Sequence, residues 1–431
     1  MRCGPILTRY LYTLIWIALL PLLLLRLFWR ARREPAYTQD IRQRLGLYSG
    51  SAPSPTIWIH AVSVGETRAA QPLIEALLQR FPHVRVLLTQ TTATGREAAR
   101  ELFGGRVALA WMAWDLPWAQ QALIRHWRPL VAVMMETELW PNLTVACRSS
   151  AVPIVLVNGR LSARSARGYG RLPGLTRAML QRFAAVAAQT PEDAARLASL
   201  GAPAVTVCGN LKFDVELPEA PRALGLRWRA ALGDRPVVLL ASTRDGEEAL
   251  LLPTLHAALP SNALIALVPR HPQRFDEVAA LVARAGLPMV RRSGDVLPDA
   301  STRVWLGDSM GEMVAWYTLA NLALIGGSWL PLGGQNLIES CASGCPVIVG
   351  PHTFNFAQAA TDAIEAGAAL RAADVADAAA HSAALLADPI RRAAMASSAL
   401  AFAHAHRGAT ARTLALIEPL IRARLAATND R

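Results

Sequence analysis

A carboxylate that directly follows an apolar run is the feature of this chain best suited to chemistry. Residues 56–61 are typical of a buried strand, and residues 67–81 carry Ala, Leu and Ile at helical spacing, so Glu66 falls in the first turn of a predicted helix. Ligands of open α/β sheets bind beyond the carboxyl ends of the strands. Glu66 could therefore act as a general base. Ser63 and Glu66 also form a capping-box pattern, which would make Glu66 purely structural.

Further charged residues follow other predicted strands in the first half of the chain. Glu136 and Glu138 come after the apolar run 130–134, and Lys212 follows the run 205–207. Lys212 is the only lysine among 44 lysine and arginine residues. A fixed cation of this kind could neutralise the charge that develops on a phosphate leaving group. The alternatives are a surface lysine in a linker and, for Glu138, the start of a helix.

The second half of the chain contains several patterns suited to a phosphate or a nucleotide. Arg270 follows Pro269 at a strand end, and its forked guanidinium suits oxyanions. Residues 307–312 should open a helix, whose N-terminus attracts anions, and Ser309 and Glu312 repeat the capping-box pattern. Asn336 and Glu339 lie three residues apart at the start of another predicted helix, so both could reach one ribose. Taken singly, each pattern could equally be a turn or a helix cap.

The elements that must position these residues alternate between strand and helix. This alternation predicts two Rossmann-like, doubly wound α/β domains that face one another across a cleft, at 34–215 and 222–410, followed by a C-terminal helix at 411–431. Two prolines and acidic residues mark the boundary between the domains. The predicted strands are 57–61, 84–89, 107–110, 130–134, 154–157, 186–188, 205–207, 237–241, 263–268, 289–291, 304–306, 322–325 and 347–349.

The first 33 residues predict an N-terminal membrane anchor helix. An apolar run between Arg9 and Arg26 is followed by further arginines, which favours a cytoplasmic location for the rest of the chain. A buried core helix is the alternative. The net charge of +12 suits an anionic membrane surface or a phosphorylated substrate. Nucleic acid is not expected as a partner, because no helix-turn-helix, zinc-finger or aromatic RNA-binding signature is present.

Many blocks in a consistent order resemble the membrane-anchored 3-deoxy-D-manno-octulosonic acid (Kdo) transferases of Gram-negative bacteria. The similarity extends from the anchor to about residue 358 and includes the only lysine. The blocks are Ser-Val-Gly-Glu at 63–66, Met-Glu-Thr-Glu-Leu-Trp-Pro-Asn at 135–142, Arg-Leu-Ser-Ala-Arg at 160–164, Leu-Lys-Phe-Asp at 211–214, Val-Pro-Arg-His-Pro at 268–272, Met-Gly-Glu at 310–312, Gly-Gly-Ser at 326–328 and Gly-Pro-His-Thr-Phe-Asn-Phe at 350–356.

The resemblance implies a GT-B type fold and an inverting glycosyltransferase at the cytoplasmic face of the bacterial inner membrane. Such an enzyme moves Kdo from CMP-Kdo onto the lipid A precursor lipid IVA in lipopolysaccharide core biosynthesis. By resemblance, Glu66 is the general base and Glu136 stabilises the transition state ahead of Glu138. Lys212, from its place at a strand end, is the best candidate to assist the leaving group. The resemblance also implies contact with CMP for Met310, Gly311, Glu312, Asn336, Leu337, Ile338 and Glu339. Pro269 and Arg270, at their strand end, complete the predicted nucleotide site.

The sequence departs from the family's pattern at two places and lacks one common motif. Gln335 and Leu337 stand where the family pattern has His and Pro, and Arg244 and Asp245 stand where His and Glu are common. No Asp-x-Asp motif occurs, so we expect transfer without a metal or other cofactor. A sugar-nucleotide epimerase of similar architecture and a non-catalytic lipid-binding membrane protein are the alternative functions.

Overall fold

The computed structural model describes residues 5–32, 34–50, 55–214 and 217–429. The chain divides into two compact units, one formed by Met1–Val215 with His406–Arg431 and the other by Glu216–Ala405. Some residues of the predicted segments lie outside the described residues: 1–4 and 33 in the anchor, 215 and 216 at the domain boundary, and 430 and 431 in the C-terminal helix.

The first unit is built on a seven-stranded parallel sheet with the strand order β3-β2-β1-β4-β5-β6-β7. Its strands are β1 Thr56–His60, β2 Arg85–Gln90, β3 Val107–Trp111, β4 Pro129–Met135, β5 Ile154–Gly159, β6 Phe183–Ala188 and β7 Val205–Val207. Its first helices are α1 Pro5–Ala31, α2 Val64–Arg80, α3 Ala93–Phe103, α4 Pro117–Trp127, α5 Pro141–Ser149, α6 Ala163–Gly170, α7 Pro173–Leu180 and α8 Pro191–Ser199.

The position of the candidate site follows from this strand order. Every residue of β1 and β4 is buried, because helices cover both faces of the sheet. The chain leaves β1 toward β2 on one side and continues from β4 toward β5 on the other, so the order reverses between β1 and β4. A crevice opens at such a reversal, at the carboxyl ends of the two strands. Polar side chains that follow these strands therefore meet there.

The second unit repeats this architecture with a sheet of order β10-β11-β9-β8-β12-β13-β14, which reverses between β8 and β12. The strands are β8 Val237–Thr243, β9 Leu264–Pro269, β10 Met289–Arg291, β11 Val304–Leu306, β12 Leu322–Ile325, β13 Val347–Val349 and β14 Ala369–Arg371. The helices that follow α8 are α9 Glu219–Leu232, α10 Glu247–Ala258, α11 Phe275–Arg284, α12 Met313–Leu319, α13 Ile338–Ala342, α14 Ala357–Glu365, α15 Val375–Ala387, α16 Pro389–Ala405 and α17 Ala409–Asn429.

The prediction of two doubly wound α/β domains is confirmed by the two parallel sheets. All predicted strands are present, with ends that differ by a few residues. One strand was missed, β14, which has only three residues and begins with Ala. Alanine is depleted in strands, and so short a segment has no readable periodicity. Its place in the sheet comes from pairing with β13.

The C-terminal helix α17 belongs to the first unit, where Ile417 and Ile421 join the core beneath the sheet. Asp214 anchors the approach to this helix, because its carboxylate accepts hydrogen bonds from the backbone N–H groups of Gly408 (2.6 Å) and Thr410. These hydrogen bonds join the approach to α17 to the first unit, to which residues 406–431 belong.

We expect Asp214→Ala to lower the free energy of unfolding by about 1.5–3 kcal/mol, because hydrogen bonds to a charged acceptor contribute on this scale. Urea denaturation of the detergent-solubilised protein would measure the loss. Asp234→Ala, which removes an exposed aspartate, is the matched control and should change stability by less than about 0.5 kcal/mol. Equal losses in the two variants would contradict the anchoring role.

Candidate active site

Glu66 lies in the first turn of α2, directly after β1, as predicted. The Ser63 hydroxyl caps the helix by accepting a hydrogen bond from the Glu66 N–H (3.5 Å). One carboxylate oxygen of Glu66 accepts a hydrogen bond from the Val62 N–H at 2.7 Å. The predicted N-cap at Ser63 is therefore confirmed. It holds the carboxyl group in a fixed orientation and leaves Oε1 with only a long contact to Ser63, at 3.4 Å.

Burial raises the pKa of Glu66 from 4.5 to about 8. The negative charges of Glu136 and Glu138 contribute to this rise, whereas the hydrogen bond from Val62 favours the ionised form and opposes it. A carboxyl group with a pKa close to neutral pH can exchange a proton with a substrate hydroxyl. That property is the one expected of a general base or acid.

Glu136 follows β4 at the same sheet edge, and its Oε1 lies 3.8 Å from Nζ of Lys212. Both side chains are about a quarter exposed, so they remain accessible to a ligand while they hold one another. The backbone of Glu136 is left-handed (φ 54°), which is uncommon for a residue other than glycine. A hydrogen bond from its N–H to the Val157 carbonyl oxygen (2.9 Å) holds it in that conformation.

Asn158 is a further residue of this site, and the sequence analysis missed it. It lies in β5 with a buried side chain and a left-handed backbone (φ 52°). Its Oδ1 accepts a hydrogen bond from the Leu211 N–H at 3.1 Å, while Asn210 accepts one from the Lys212 N–H at 3.0 Å. These two bonds position the turn that carries Lys212. An asparagine at the end of an apolar strand was the available signal.

Glu138 has a different environment from that of Glu136. Its Oε2 accepts a hydrogen bond from the indole N–H of Trp140 (2.6 Å) and lies 4.0 Å from Nε2 of His60. Burial raises the pKa of Glu138 and lowers that of His60 to about 4, so the imidazole is neutral at pH 7. The environment of Glu138 is thus supplied mainly by Trp140 and His60, whereas Glu136 is paired with the only lysine.

In the second unit a pocket forms where β8, β9 and β11 end. It brings together five of the residues predicted to bind the nucleotide, Pro269, Arg270, Met310, Gly311 and Glu312. The remaining lining residues are Ser242, Val268, Ser309, Met313 and Trp316. A cationic side chain, a serine hydroxyl and a glycine turn at the carboxyl edge of a parallel sheet are suited to an anionic ligand.

The predicted capping box at Ser309 is wrong. The N-cap position of α12 is occupied by Glu312, whose side chain makes no capping hydrogen bond to the helix. Ser309 cannot take this position, because Gly311 turns the chain in a left-handed conformation (φ 81°) before the helix begins. The Glu312 carboxylate instead pairs with Arg292 at 2.9 Å and bonds the Ser309 hydroxyl. These contacts hold the loop that carries Met310 at the pocket.

The predicted nucleotide residues at 336–339 lie at the start of α13 and do not line this pocket. Asn336 donates from its side chain to Glu339 (3.1 Å) and accepts from the Ile338 N–H (3.0 Å), so the first and last members of the group contact each other. The side chains of Leu337 and Ile338 are buried in the core. Only the backbone of these two residues could contact a ligand.

Two buried glutamates that the sequence analysis did not single out shape the edge of the second sheet. Glu247 is fully buried and accepts hydrogen bonds from the N–H groups of Arg244 (2.8 Å), Gly327 (2.7 Å) and Trp329 (3.0 Å). Glu248, also fully buried, pairs with both terminal nitrogens of Arg274 at 2.7 and 3.0 Å. Acidic residues are common in a first helical turn, so their role was not readable from sequence.

The glycine pair after β12 is required by close packing. A Cβ atom at Gly326 would lie 2.3 Å from the Ser242 carbonyl oxygen, so no larger residue fits there. Gly327, in the left-handed conformation (φ 70°), directs its N–H to the buried Glu247. The Gly-Gly-Ser block therefore draws the ends of β8 and β12 together at the reversal of the strand order.

Within the described ranges, no group of three or more His, Cys, Asp and Glu side chains could hold a metal ion. Transfer without a metal stays a prediction.

The chain is similar to known proteins over nearly its whole length. The family described as 3-Deoxy-D-manno-octulosonic-acid transferase (kdotransferase) matches residues 39–215. A 3-deoxy-D-manno-octulosonic acid transferase from Bordetella pertussis is 49% identical over 95% of this chain and 99% of its own length. The protein with that name from Haemophilus influenzae is 37% identical over 96% of this chain and 99% of its own.

Solved structures share the fold and confirm the predicted GT-B type. Alr3699/HepE from Anabaena, in complex with UDP, has a TM-score of 0.58 at 14% identity and covers 85% of this chain and 99% of its own. A UDP-GlcNAc 2-epimerase from Neisseria meningitidis, bound to UDP-GlcNAc, has a TM-score of 0.56 at 14% identity and covers 85% and 100%. The sequence relatives decide the family: this chain belongs to the 3-deoxy-D-manno-octulosonic acid transferases, a family of glycosyltransferases.

Proposed function

We propose that this protein transfers Kdo from CMP-Kdo onto a lipid A precursor, with inversion at the anomeric carbon and without a metal. The observation that carries the proposal is the set of groups at the reversal point of the first sheet. There the partly buried carboxyl group of Glu66, whose pKa is raised to about 8, lies near the ion pair of Glu136 and Lys212. The family membership supports the same reaction class.

The geometry of Glu66 suits a general base. The Val62 N–H holds Oε2, and Oε1 is left to accept the proton of an acceptor hydroxyl group. As that proton moves to Glu66, the hydroxyl oxygen attacks the anomeric carbon of Kdo, and the bond from that carbon to the CMP phosphate oxygen breaks. A single displacement of this kind inverts the configuration and needs no covalent intermediate. Base catalysis contributes roughly 10²–10⁴ in rate.

Lys212 supplies positive charge in the same unit, where it can stabilise negative charge as the CMP group leaves. Glu136 holds the ammonium group in place, and Asn158 fixes the backbone turn beneath it. The carboxylate of Glu136 can also favour positive character at the anomeric carbon. Its pairing with Lys212 supports Glu136 over Glu138 as the transition-state residue.

The donor nucleotide is assigned to the pocket of the second unit. Arg270 offers a guanidinium to the phosphate, and the loop of Met310 and Gly311 lies beside it. CMP carries one phosphate, so arginine and backbone N–H groups can neutralise it without a divalent ion. The stretch from Asn336 to Glu339 remains a further candidate for contact with the ribose.

The acceptor and the location follow from the N-terminal helix and the charge. Among the described residues, one helix, Ile6–Ala31, is long and apolar enough to cross a membrane, by length and composition alone. With arginines after this helix and a net charge of +12, an anionic inner-membrane surface and a phosphorylated lipid acceptor are the expected partners, with the catalytic units on the cytoplasmic face. The epimerase among the structural neighbours shares only the fold, so it gives no support to an epimerase reaction.

Glu66→Gln should lower kcat by about 10²–10⁴, because the amide keeps the acceptor for Val62 but cannot take a proton. CMP release from CMP-Kdo in the presence of lipid A precursor would measure it. The matched control is Glu75→Gln on the same helix, which removes only a surface pair with Arg106 and should retain full activity. A fully active Glu66→Gln enzyme would remove the base assignment, and a wild-type protein that releases no CMP would overturn the proposed reaction.

The titration of the Glu66 carboxyl group should affect how both activity and stability depend on pH. The base is active when ionised, so kcat/KM should rise with pH, reach half of its maximum near pH 8 and level off above that pH. The folded carboxyl group binds its proton more tightly than the unfolded one. The stability that this provides is complete below pH 4.5 and is lost as the pH rises to about 8. Unfolding followed across this range should show a decline that is smaller in Glu66→Gln. An identical decline in both proteins would exclude Glu66 as its source.

Arg270→Ala should weaken CMP binding by about 10- to 100-fold, which corresponds to the loss of one charge-assisted hydrogen bond. Isothermal titration of the full-length protein with CMP would measure this. Arg284→Ala removes an exposed arginine of α11 and serves as the control. If both variants bind CMP as the wild type does, the phosphate is held elsewhere.

A further inference from the structure

The apolar helix α1 is packed along the first unit over most of its length. Its partly or fully buried residues recur every three or four positions and include Thr13, Trp16, Leu20 and Leu27. Trp16 and Leu20 pack against the core cluster on one face of the first sheet. Leu27 packs near the other end, with Tyr37 and Trp111. This spacing defines one continuous stripe on the helix.

Polar contacts fix the N-terminal half of the same stripe. The Thr13 hydroxyl lies 3.0 Å from the side-chain nitrogen of Asn142, and Arg9 lies 3.4 Å from the side-chain oxygen of the same residue. Asn142 is in turn held by Asp115, whose carboxylate and carbonyl oxygens accept from its backbone and side-chain N–H groups at 3.1 and 2.7 Å. Asp115 is buried, so these contacts belong to the interior of the unit.

The distance between the two attachment points excludes an ordinary span. Arg9 and Leu27 are about 27 Å apart along a helix that rises about 1.5 Å per residue, and both ends of this segment contact the same unit. A helix that crosses the bilayer places about 30 Å of its length in hydrocarbon, with the folded unit at only one end. A helix attached at both ends lies along its unit.

The opposite face of α1 is apolar and exposed along its whole length. Leu7, Leu14 and Leu25 are 59%, 62% and 66% exposed, and Phe28 and Trp29 add exposed aromatic rings near the C-terminal end. Aromatic residues of this kind favour the boundary between hydrocarbon and water. A continuous apolar face of this size is unfavourable in water and marks an interaction site, and a lipid leaflet would bury it.

The neighbouring surface carries the charge expected beside a lipid leaflet. Helix α7 contacts α1, and α6 contacts α7. Arg164, Arg167 and Arg171, in or directly after α6, are exposed, and no acidic residue occurs between positions 160 and 191. Arginines at this position can bind lipid phosphates while the apolar face enters the acyl region. An apolar stripe with a basic rim is typical of a helix that lies in the membrane interface.

We propose that α1 does not span the membrane but lies in the plane of one leaflet, docked on the first unit, with its Leu7–Leu14–Leu25 face in lipid and the arginines of α6 at the headgroups. The catalytic unit then enters the membrane surface together with the helix. The contact of α1 with the bilayer can be measured whether or not the protein catalyses the proposed reaction.

Depth-dependent fluorescence quenching would test the orientation. Single cysteines at Leu7, Leu14 and Leu25, introduced with Cys3→Ser, would carry a fluorophore in protein reconstituted into phosphatidylglycerol-containing vesicles with lipids spin-labelled at two depths. The described native cysteines are all buried. We expect the same shallow depth at all three positions, and no lipid quenching at the inward Thr13→Cys control. A deep position 14 between two shallow ends would overturn the proposal. An absence of quenching at all three positions would overturn it as well, because protein would then cover the face.

Cross-linking would test the docking in native membranes. The pair Thr13→Cys with Asn142→Cys should form an intramolecular disulfide on oxidation, because the two side chains are in contact. Leu14→Cys with Asn142→Cys is the matched control, since Leu14 lies on the lipid face, and it should not cross-link. Cross-linking of the first pair in detergent but not in membranes would overturn the proposal. So would no cross-linking in either, or equal cross-linking of both pairs.

Discussion

Burial of both faces of each parallel sheet is the constraint on which the rest of this structure depends. Strands such as β4 and β8 have no exposed residue, so the sheets offer no room for unpaired polar groups except at their ends. At the carboxyl ends, where the strand order reverses, neighbouring connections diverge and leave space. Glu66 and Glu136 meet at one such edge, and Arg270 lies at the other.

Polar groups at these edges are buried enough that each needs a partner, and the choice of partner decides the chemistry. Glu247 is satisfied by three backbone N–H groups and Glu248 by Arg274, so these two glutamates serve structure. Glu66 keeps only one short hydrogen bond and lies near two other carboxylates. Its pKa therefore rises until the group can exchange a proton at physiological pH. Capping and base catalysis are compatible, because the cap uses one oxygen.

The N-terminal helix α1 also has polar groups whose partners lie in the first unit. A helix that is apolar on all sides could span a bilayer, but α1 has one stripe occupied by its own unit, with polar contacts at Thr13 and Arg9. Those contacts would lie in hydrocarbon if the helix crossed alone, where polar groups without partners are costly. An acceptor lipid must be reached at the membrane surface, and an in-plane helix would bring the first unit to that surface.

The sequence by itself determined the α/β class, most of the strand positions, the family and the proposed base, because apolar periodicity and local motifs are written in consecutive residues. It also located Lys212 and Arg270, which stand out by type. Only the tertiary structure decided contacts between distant segments. Asn158 supports the Lys212 turn from another strand, Gly311 prevents the second capping box, and the stripe on α1 appears only once the helix meets Asn142. The first and third depend on segments far apart in the chain becoming neighbours, and the second on the backbone conformation of one glycine, and one-dimensional patterns encode neither.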